Sequence, residues 1–327
     1  MIRTDSRETS AALDPNRGPV AVIDIGSNSI KLLVAARASD GSIVELCRGV
    51  EETRIGTGIT ENPPRLRPDA MDRAVASIRA LLCRAAAFEP VHIAAVATSA
   101  VRDAVNGREF AERVQAETLL DLSILAGREE ARLIGRGIAC DPAMRGAKAF
   151  YLFDLGGGSL EVLAFREGDV VGLASLQLGC VRVTERFVPS PAAPLDADAE
   201  ERVRAHVRAT LAESGFAFEL PADTSAVVTG GTATTFRAIE AASRGRRFEE
   251  VSPEITLNDL GAFARRLCAM DLAARAAIPG LPAARADVFP AALVTLHEAA
   301  LTAGVAVMRH SLYNLRYGLA AELLDAR

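Results

Sequence analysis

Residues 151–165 read YLFDLGGGSLEVLAF: an apolar run, an acid, three glycines, a serine and a second apolar run. Leu152, Phe153 and Leu155 fit a buried strand end, and Val162, Leu163, Ala164 and Phe165 fit a second strand. Asp154, Gly156, Gly157, Gly158 and Ser159 stand at the junction. Adjacent glycines have no side chains to pack. They permit positive φ and let another group approach the backbone closely. An ordinary hairpin turn accounts for them, and so does a loop that cradles phosphate.

The same grammar stands earlier in the chain. Residues 21–36, AVIDIGSNSIKLLVAA, again run from apolar residues through an acid and a Gly/Ser junction to apolar residues. Laid side by side, D-I-G-S-N-S matches D-L-G-G-G-S: Asp24 falls on Asp154, Gly26 on Gly156 and Ser29 on Ser159. Two copies of acid-x-Gly-x-x-Ser, each joining two strands, point to a duplicated unit rather than two unrelated turns.

The rest of the chain fits that duplication. Its 327 residues suffice for two domains, and a 50% hydrophobic content supplies their cores. Trp is absent and aromatics make up 5%, so stacking platforms for single-stranded nucleic acid are scarce. A net charge of −5 provides no global basic field, so a phosphate-rich ligand must be met by a local cluster. Cys47, Cys83, Cys140, Cys180 and Cys268 form no C-x-x-C pair, and neither zinc nor a disulfide framework is indicated. His92, His206, His297 and His310 show no metal-binding spacing and read as structural or surface residues. The polar N-terminus lacks a secretory apolar segment, and no uncharged apolar run is long enough to span a membrane. A cytoplasmic protein with no membrane and no DNA partner is expected.

Periodicity predicts a hairpin over 20–36, a strand over 43–55 and an amphipathic helix over 67–90. A strand then starts at 91 and runs into a loop at 98–100. A helix at 106–118, a strand at 122–127 and a helix at 128–140 follow. Strands are expected from 149 to about 178, a helix at 195–215, and strand, glycine turn and helix over 225–240. The last 35 residues read as mostly helical, and apolar on so much of their circumference that they must be buried. The pattern gives two α/β domains with a ligand cleft between them. The expected division is a disordered tail at 1–18, a first domain at 19–135 and a second at 136–304, with a helix at about 305–327 packing back on the first.

Walker A and dinucleotide fingerprints are both absent. Two acids at strand ends with two Gly/Ser loops suit phosphoryl transfer, which works by positioning and charge neutralisation. Asp24 and Asp154 would hold Mg²⁺ through its waters, and Ser27, Ser29, Ser159 and the loop N–H groups would grip phosphate oxygens. These features alone fit a sugar kinase or an actin-like ATPase equally well.

Six segments occur in order: DIGSNS (24–29), ATSAVRDAVNGREF (97–110), GREEARLIGRGI (127–138), DLGGGSLE (154–161), SLQLGCVRVTE (175–185) and TGGTATT (229–235). Together they resemble the exopolyphosphatase/guanosine pentaphosphate phosphohydrolase family of the actin-like ATPase superfamily, over residues 20–324. The resemblance implies two actin-like (ribonuclease H-like) α/β domains. It also implies hydrolysis of a terminal phosphate from polyphosphate or pppGpp with Mg²⁺ or Mn²⁺, and a homodimer is compatible with it. The family's catalytic glutamate falls on Glu130 and its phosphate-contacting arginine on Arg102, whose other reading is an ion pair with Asp103 or Glu109. Glu129 reads as a carboxylate stabilised by the helix dipole. The phosphate contacts implied are Gly26, Ser27, Asn28, Ser29, Gly156, Gly157, Gly158, Ser159, Gly230, Gly231 and Thr232, with Glu161 in a polar network around the metal. Ala126 stands where relatives often have Ser, TGGTATT replaces a G-T-S-G-T form, and NLRYG (314–318) replaces G-L-R-E-G. The extra C-terminal helical domain of longer members is not expected in this chain, and long-chain processivity is not implied by the resemblance. An ATP-dependent kinase of the same superfamily and a phosphate- or nucleotide-sensing protein are the rival readings.

Overall fold

A computed structural model describes residues 12–14, 17–221 and 224–326. The chain divides into two compact units, one running to Met144 and resuming at Tyr313, the other comprising Arg145–Leu312.

In the first unit β1 (Val20–Ile25), β2 (Ile30–Arg37) and β3 (Ile43–Glu51) form an antiparallel meander. Helix α1 (Pro68–Ala86) leads to β4 (His92–Ala97), which lies parallel to β1. Then come α2 (Ser99–Asp103), α3 (Gly107–Thr118), β5 (Leu122–Ile124) and α4 (Gly127–Ala139). The strand order is β3-β2-β1-β4-β5. Pro68 needs no backbone N–H in the first turn of α1, and Ala70, Ala74, Ile78, Leu81 and Ala85 are buried at helical spacing.

The second unit repeats the scheme. Strands β6 (Ala149–Leu155), β7 (Leu160–Arg166) and β8 (Asp169–Leu176) form the meander. Helices α5 (Cys180–Phe187) and α6 (Ala197–Glu213) lead to β9 (Ser225–Thr229), parallel to β6. There follow α7 (Gly231–Ser243), β10 (Glu254–Thr256), α8 (Leu257–Cys268), α9 (Leu272–Ala276), α10 (Phe289–Thr302) and β11 (Val307–His310). The order is β10-β11-β9-β6-β7-β8, so β8-β7-β6-β9-β11 reproduces β3-β2-β1-β4-β5 with β10 added at the edge. The duplicated grammar of the sequence is a duplicated topology.

The chain ends in α11 (Leu315–Asp325), which belongs to the first unit. Val20, Val22, Leu33 and Ala35 pack with Tyr317, Ala320, Ala321 and Leu324 in one apolar cluster. Their strand neighbours Ala21, Ile23, Leu32 and Val34 are fully buried too, and α1 also packs on β1 and β2. Strands covered on both faces read as continuous apolar runs, hence AVI and KLLVAA.

Four expectations need correction. The first unit extends past 135 to Met144 because α4 continues to Ala139 and packs against α11. The helix expected at about 305–327 starts only at Leu315. Val307–His310 is a strand that pairs in parallel with β9, and Gly304, at φ +69°, lies just beyond the end of α10. The loop expected at 98–100 is the start of α2. Of the tail expected at 1–18, residues 1–11, 15 and 16 lie outside the described residues; Leu13 forms an antiparallel bridge with Ala38, and the Arg17 guanidinium donates to the Leu324 carbonyl.

Candidate active site

Both Gly/Ser junctions connect antiparallel strands, and both are closed by the same hydrogen bond. The Gly26 N–H donates to the Ser29 carbonyl at 3.1 Å, and the Gly156 N–H donates to the Ser159 carbonyl at 3.0 Å. These hairpins have a further property. In the first loop the Ser27 carbonyl accepts from the Gly56 N–H at 2.8 Å, and the Asn28 carbonyl from the Arg54 N–H at 2.9 Å. A Cβ on Gly56 would lie 2.7 Å from the Ser27 Cβ, so this close approach needs glycine. With the carbonyls tied back, the amides of Ser27, Asn28 and Ser29 have no acceptor among the described residues. Side chains brace the loop: Ser27 Oγ lies 3.1 Å from Ser99 Oγ, and Asn28 Nδ2 donates to Glu52 Oε2 at 2.6 Å.

The second loop reaches the same state by another device. The first turn of α5 spends its N–H groups on loop carbonyls: Cys180 on Gly156 at 3.0 Å, Val181 on Gly157 at 2.8 Å and Arg182 on Gly157 at 3.3 Å. Arg182 Nε donates to the Gly158 carbonyl at 3.0 Å. Helix starts carry orphan donors, and here they fix the loop. A Cβ on Gly179 would lie 2.2 Å from the Gly158 backbone. This explains why LGCVR belongs with DLGGGS. The amides of Gly157, Gly158 and Ser159 have no acceptor among the described residues. Successive free amides held in a turn form an anion nest.

The acids occupy equivalent places. Asp24 is level with Lys31 on β2 and Val96 on β4, and Asp154 is level with Glu161 on β7 and Thr229 on β9. Asp24 is buried, and its carboxylate has no hydrogen-bond or ion-pair partner among the described residues. Glu161 is buried and accepts from Ser175 Oγ at 2.7 Å. No group of three His, Cys, Asp or Glu side chains converges on one point among the described residues.

In the second unit the Gly230–Gly231–Thr232 turn closes on Asp154. Gly230 has φ +93°, and a Cβ there would lie 2.6 Å from Asp154 Oδ1. Thr232 is fully buried and its hydroxyl has no hydrogen-bond partner among the described residues. Against Gly231 lies a residue no motif had marked, Arg285. It is 6% exposed, and its Nη1 lies 2.3 Å from where a Gly231 Cβ would be. Its buried Nε has no hydrogen-bond partner among the described residues. A buried cation without a counter-charge is costly, and an anion at this turn would offset the cost. Arg275, fully buried, holds the segment by donating to the Ala286 carbonyl at 3.1 Å.

In the first unit the two adjacent acids of α4 diverge. Glu129 turns outward to Arg132 at 2.7 Å, whose hydrogen bond holds the carboxyl below its usual range. Glu130 is buried and accepts from Arg102 Nη1 at 2.8 Å, and that nitrogen also donates to the Leu125 carbonyl at 3.1 Å. Arg102 Nε lies 3.5 Å from Asp103, while Glu109 lies 3.8 Å from Arg65 instead. Ala126 occupies the N-cap position of α4 with no side-chain cap, so the hydroxyl absent there would have been a helix cap. Asn314 caps α11 by accepting from the Arg316 N–H at 3.2 Å. Ser27–Ser99 and Arg102–Glu130 tie the first unit's candidates to α2, and Asp154–Gly230–Gly231–Arg285 forms a continuous group in the second unit.

The chain is similar to known proteins. The model of the Ppx/GppA phosphatase family matches residues 33–327. An uncharacterised protein of Streptomyces coelicolor is 30% identical over 300 residues, 91% of this chain and 88% of its own length. An exopolyphosphatase from Cytophaga hutchinsonii superposes with a TM-score of 0.83 at 26% identity, covering 94% of this chain and 98% of that one. The Ppx/GppA family member of Aquifex aeolicus gives 0.75 at 25% identity, over 94% and 98%. With two actin-like α/β domains and a family match over nearly its whole length, the chain belongs to the Ppx/GppA phosphatase family.

Proposed function

We propose that this protein hydrolyses the terminal phosphoanhydride of inorganic polyphosphate, of pppGpp, or of both. The supporting observation is the pair of loops whose carbonyls are tied back while the amides of Ser27–Ser29 and Gly157–Ser159 have no acceptor among the described residues. Such amides suit the oxygens of a phosphate chain, since they are oriented before the ligand arrives. Gly26–Ser29, Gly156–Ser159, Gly230–Thr232 and Arg285 take up phosphate oxygens. Arg102 adds a guanidinium suited to a phosphoryl group. Glu130 orients the attacking water and accepts its proton as the P–O bond to the leaving chain breaks. Its ion pair with Arg102 keeps the carboxylate in place until substrate engages the arginine.

Asp24, Asp154 and Glu161 are the residues that would hold Mg²⁺, or Mn²⁺. Bound there, the ion would neutralise charge on the phosphate oxygens. Polyphosphate is the first substrate to test, because the Cytophaga neighbour is an exopolyphosphatase. Orthophosphate release should be followed from polyphosphates of defined length, from pppGpp and from ATP, each with and without Mg²⁺. Release from the first two, dependent on the metal, is expected. Phosphate transfer from ATP to an acceptor, with no release from the others, would instead favour a kinase.

A further inference from the structure

A polar relay that uses none of the residues assigned above ends on the Gly230–Gly231 turn. Thr234 Oγ1 lies 2.9 Å from the Gly230 carbonyl and 3.1 Å from His310 Nε2. On the other side of the imidazole, Arg237 Nη1 lies 3.0 Å from His310 Nδ1. Arg237 carries only donors, so Nδ1 must accept. The single Thr234 hydroxyl proton goes to the Gly230 carbonyl, so Nε2 must donate. Both neighbours therefore demand the same neutral tautomer, with the proton on Nε2. Arg237 is anchored in turn, donating from Nε to the Ser252 carbonyl at 3.0 Å and from Nη2 to the Phe248 and Val251 carbonyls at 3.2 and 2.9 Å. Its guanidinium stacks 4.3 Å from the Phe248 ring centre.

We propose that His310 is a positioning residue, which through Thr234 holds the Gly230 carbonyl back so that the Gly231 and Thr232 amides face phosphate. This rests on the reading of that turn as a phosphate cradle. The physical reason is economy of direction. A carbonyl and the amide following it belong to one rigid peptide plane, so pinning the Gly230 oxygen aims the Gly231 N–H. Gly230 itself is glycine at positive φ, the conformation with least intrinsic resistance to a peptide flip. Burial and the neighbouring Arg237 push the His310 imidazole down to about 3, so it stays neutral at working pH.

Two measurements test this. The first needs no substrate: nitrogen NMR of the imidazole at neutral pH should show the Nε2–H tautomer. The Nδ1–H tautomer or an imidazolium would overturn the proposal. The second uses kinetics on a polyphosphate of defined length. His310→Leu and Thr234→Val should each lower kcat by about 10- to 100-fold, as expected for misplaced reacting groups, with KM within about threefold. Thr234→Ser and His310→Gln, which keep a hydroxyl and a donor, should recover most of the loss. The Leu/Val double variant should be no slower than the slower single, because both act along one path. Wild-type kcat in His310→Leu, or additive losses, would overturn the proposal. A wild-type protein that hydrolyses none of the substrates would sink the functional reading, while the tautomer still decides the relay.

Discussion

Glu129 and Glu130 are neighbours of one chemical type, yet one pairs on the surface with Arg132 and the other is buried against Arg102. Helical geometry separates adjacent residues by about 100°, so the two side chains leave the helix in different directions. Glu130→Gln keeps the shape and a hydrogen-bond acceptor but cannot take a proton. Turnover should fall by about 10²–10⁴-fold, and a loss under twofold in phosphate release would remove Glu130 from the chemistry. Arg285 tests the opposite kind of site. Its buried Nε has no partner among the described residues, so Arg285→Met should leave the unliganded protein as stable or more stable. The same variant should raise KM for polyphosphate. Thermal unfolding and kinetics together check both signs, and a strongly destabilised variant would show that the guanidinium serves the fold. Glu130 was legible because its motif is local. Arg285 was not, because its meaning lies in Gly231, far away in sequence.

At the scale of elements, glycines mark where backbones touch. Helices α4 and α11 cross so closely that a Cβ on Gly318 would lie 1.9 Å from the Leu133 carbonyl, and one on Gly137 would lie 2.0 Å from the Asn314 carbonyl. Both obstacles are backbone atoms, so the helices must separate to admit a methyl group. Gly318→Ala should destabilise the protein by about 1–3 kcal/mol and slow turnover as well, since α4 carries Glu130. Unfolding midpoint and kcat measured on one preparation decide it; an unchanged midpoint would mean the crossing is looser than its geometry implies. The paired hairpins and their glycines were readable from sequence, because turn chemistry is written in consecutive residues. The clamp of α5 on the second loop was not readable, because helix N–H groups carry no residue identity. Strand β11 was concealed inside an apolar, helical-looking run, and its pairing with β9 and β10 reveals it.

For the whole molecule, the order of the chain makes the two units unequal. The second is one uninterrupted stretch, Arg145–Leu312, whereas the first is completed only when α11 returns to it. That helix covers Val20, Val22, Leu33 and Ala35 with Tyr317, Ala320, Ala321 and Leu324. Burying one large apolar side chain is worth roughly 1.5–3 kcal/mol, so losing this layer removes an amount comparable to the total stability of a domain, about 5–15 kcal/mol. A chain ending at Leu312 should therefore fold in its second unit and fail in its first. Hydrogen exchange gives the sharpest reading. Amides of β6, β7 and β9 should keep the protection they have in the full chain, while those of β1 and β2 should exchange freely. Phosphate release should vanish, because Glu130 and Arg102 both lie in the unit that fails. Supplying residues 313–327 as a separate co-expressed segment should restore protection to β1 and β2, since the cluster needs the side chains of α11 rather than its covalent link to β11. Full protection of β1 in the truncated chain would mean that the first sheet holds its own core without the returning helix.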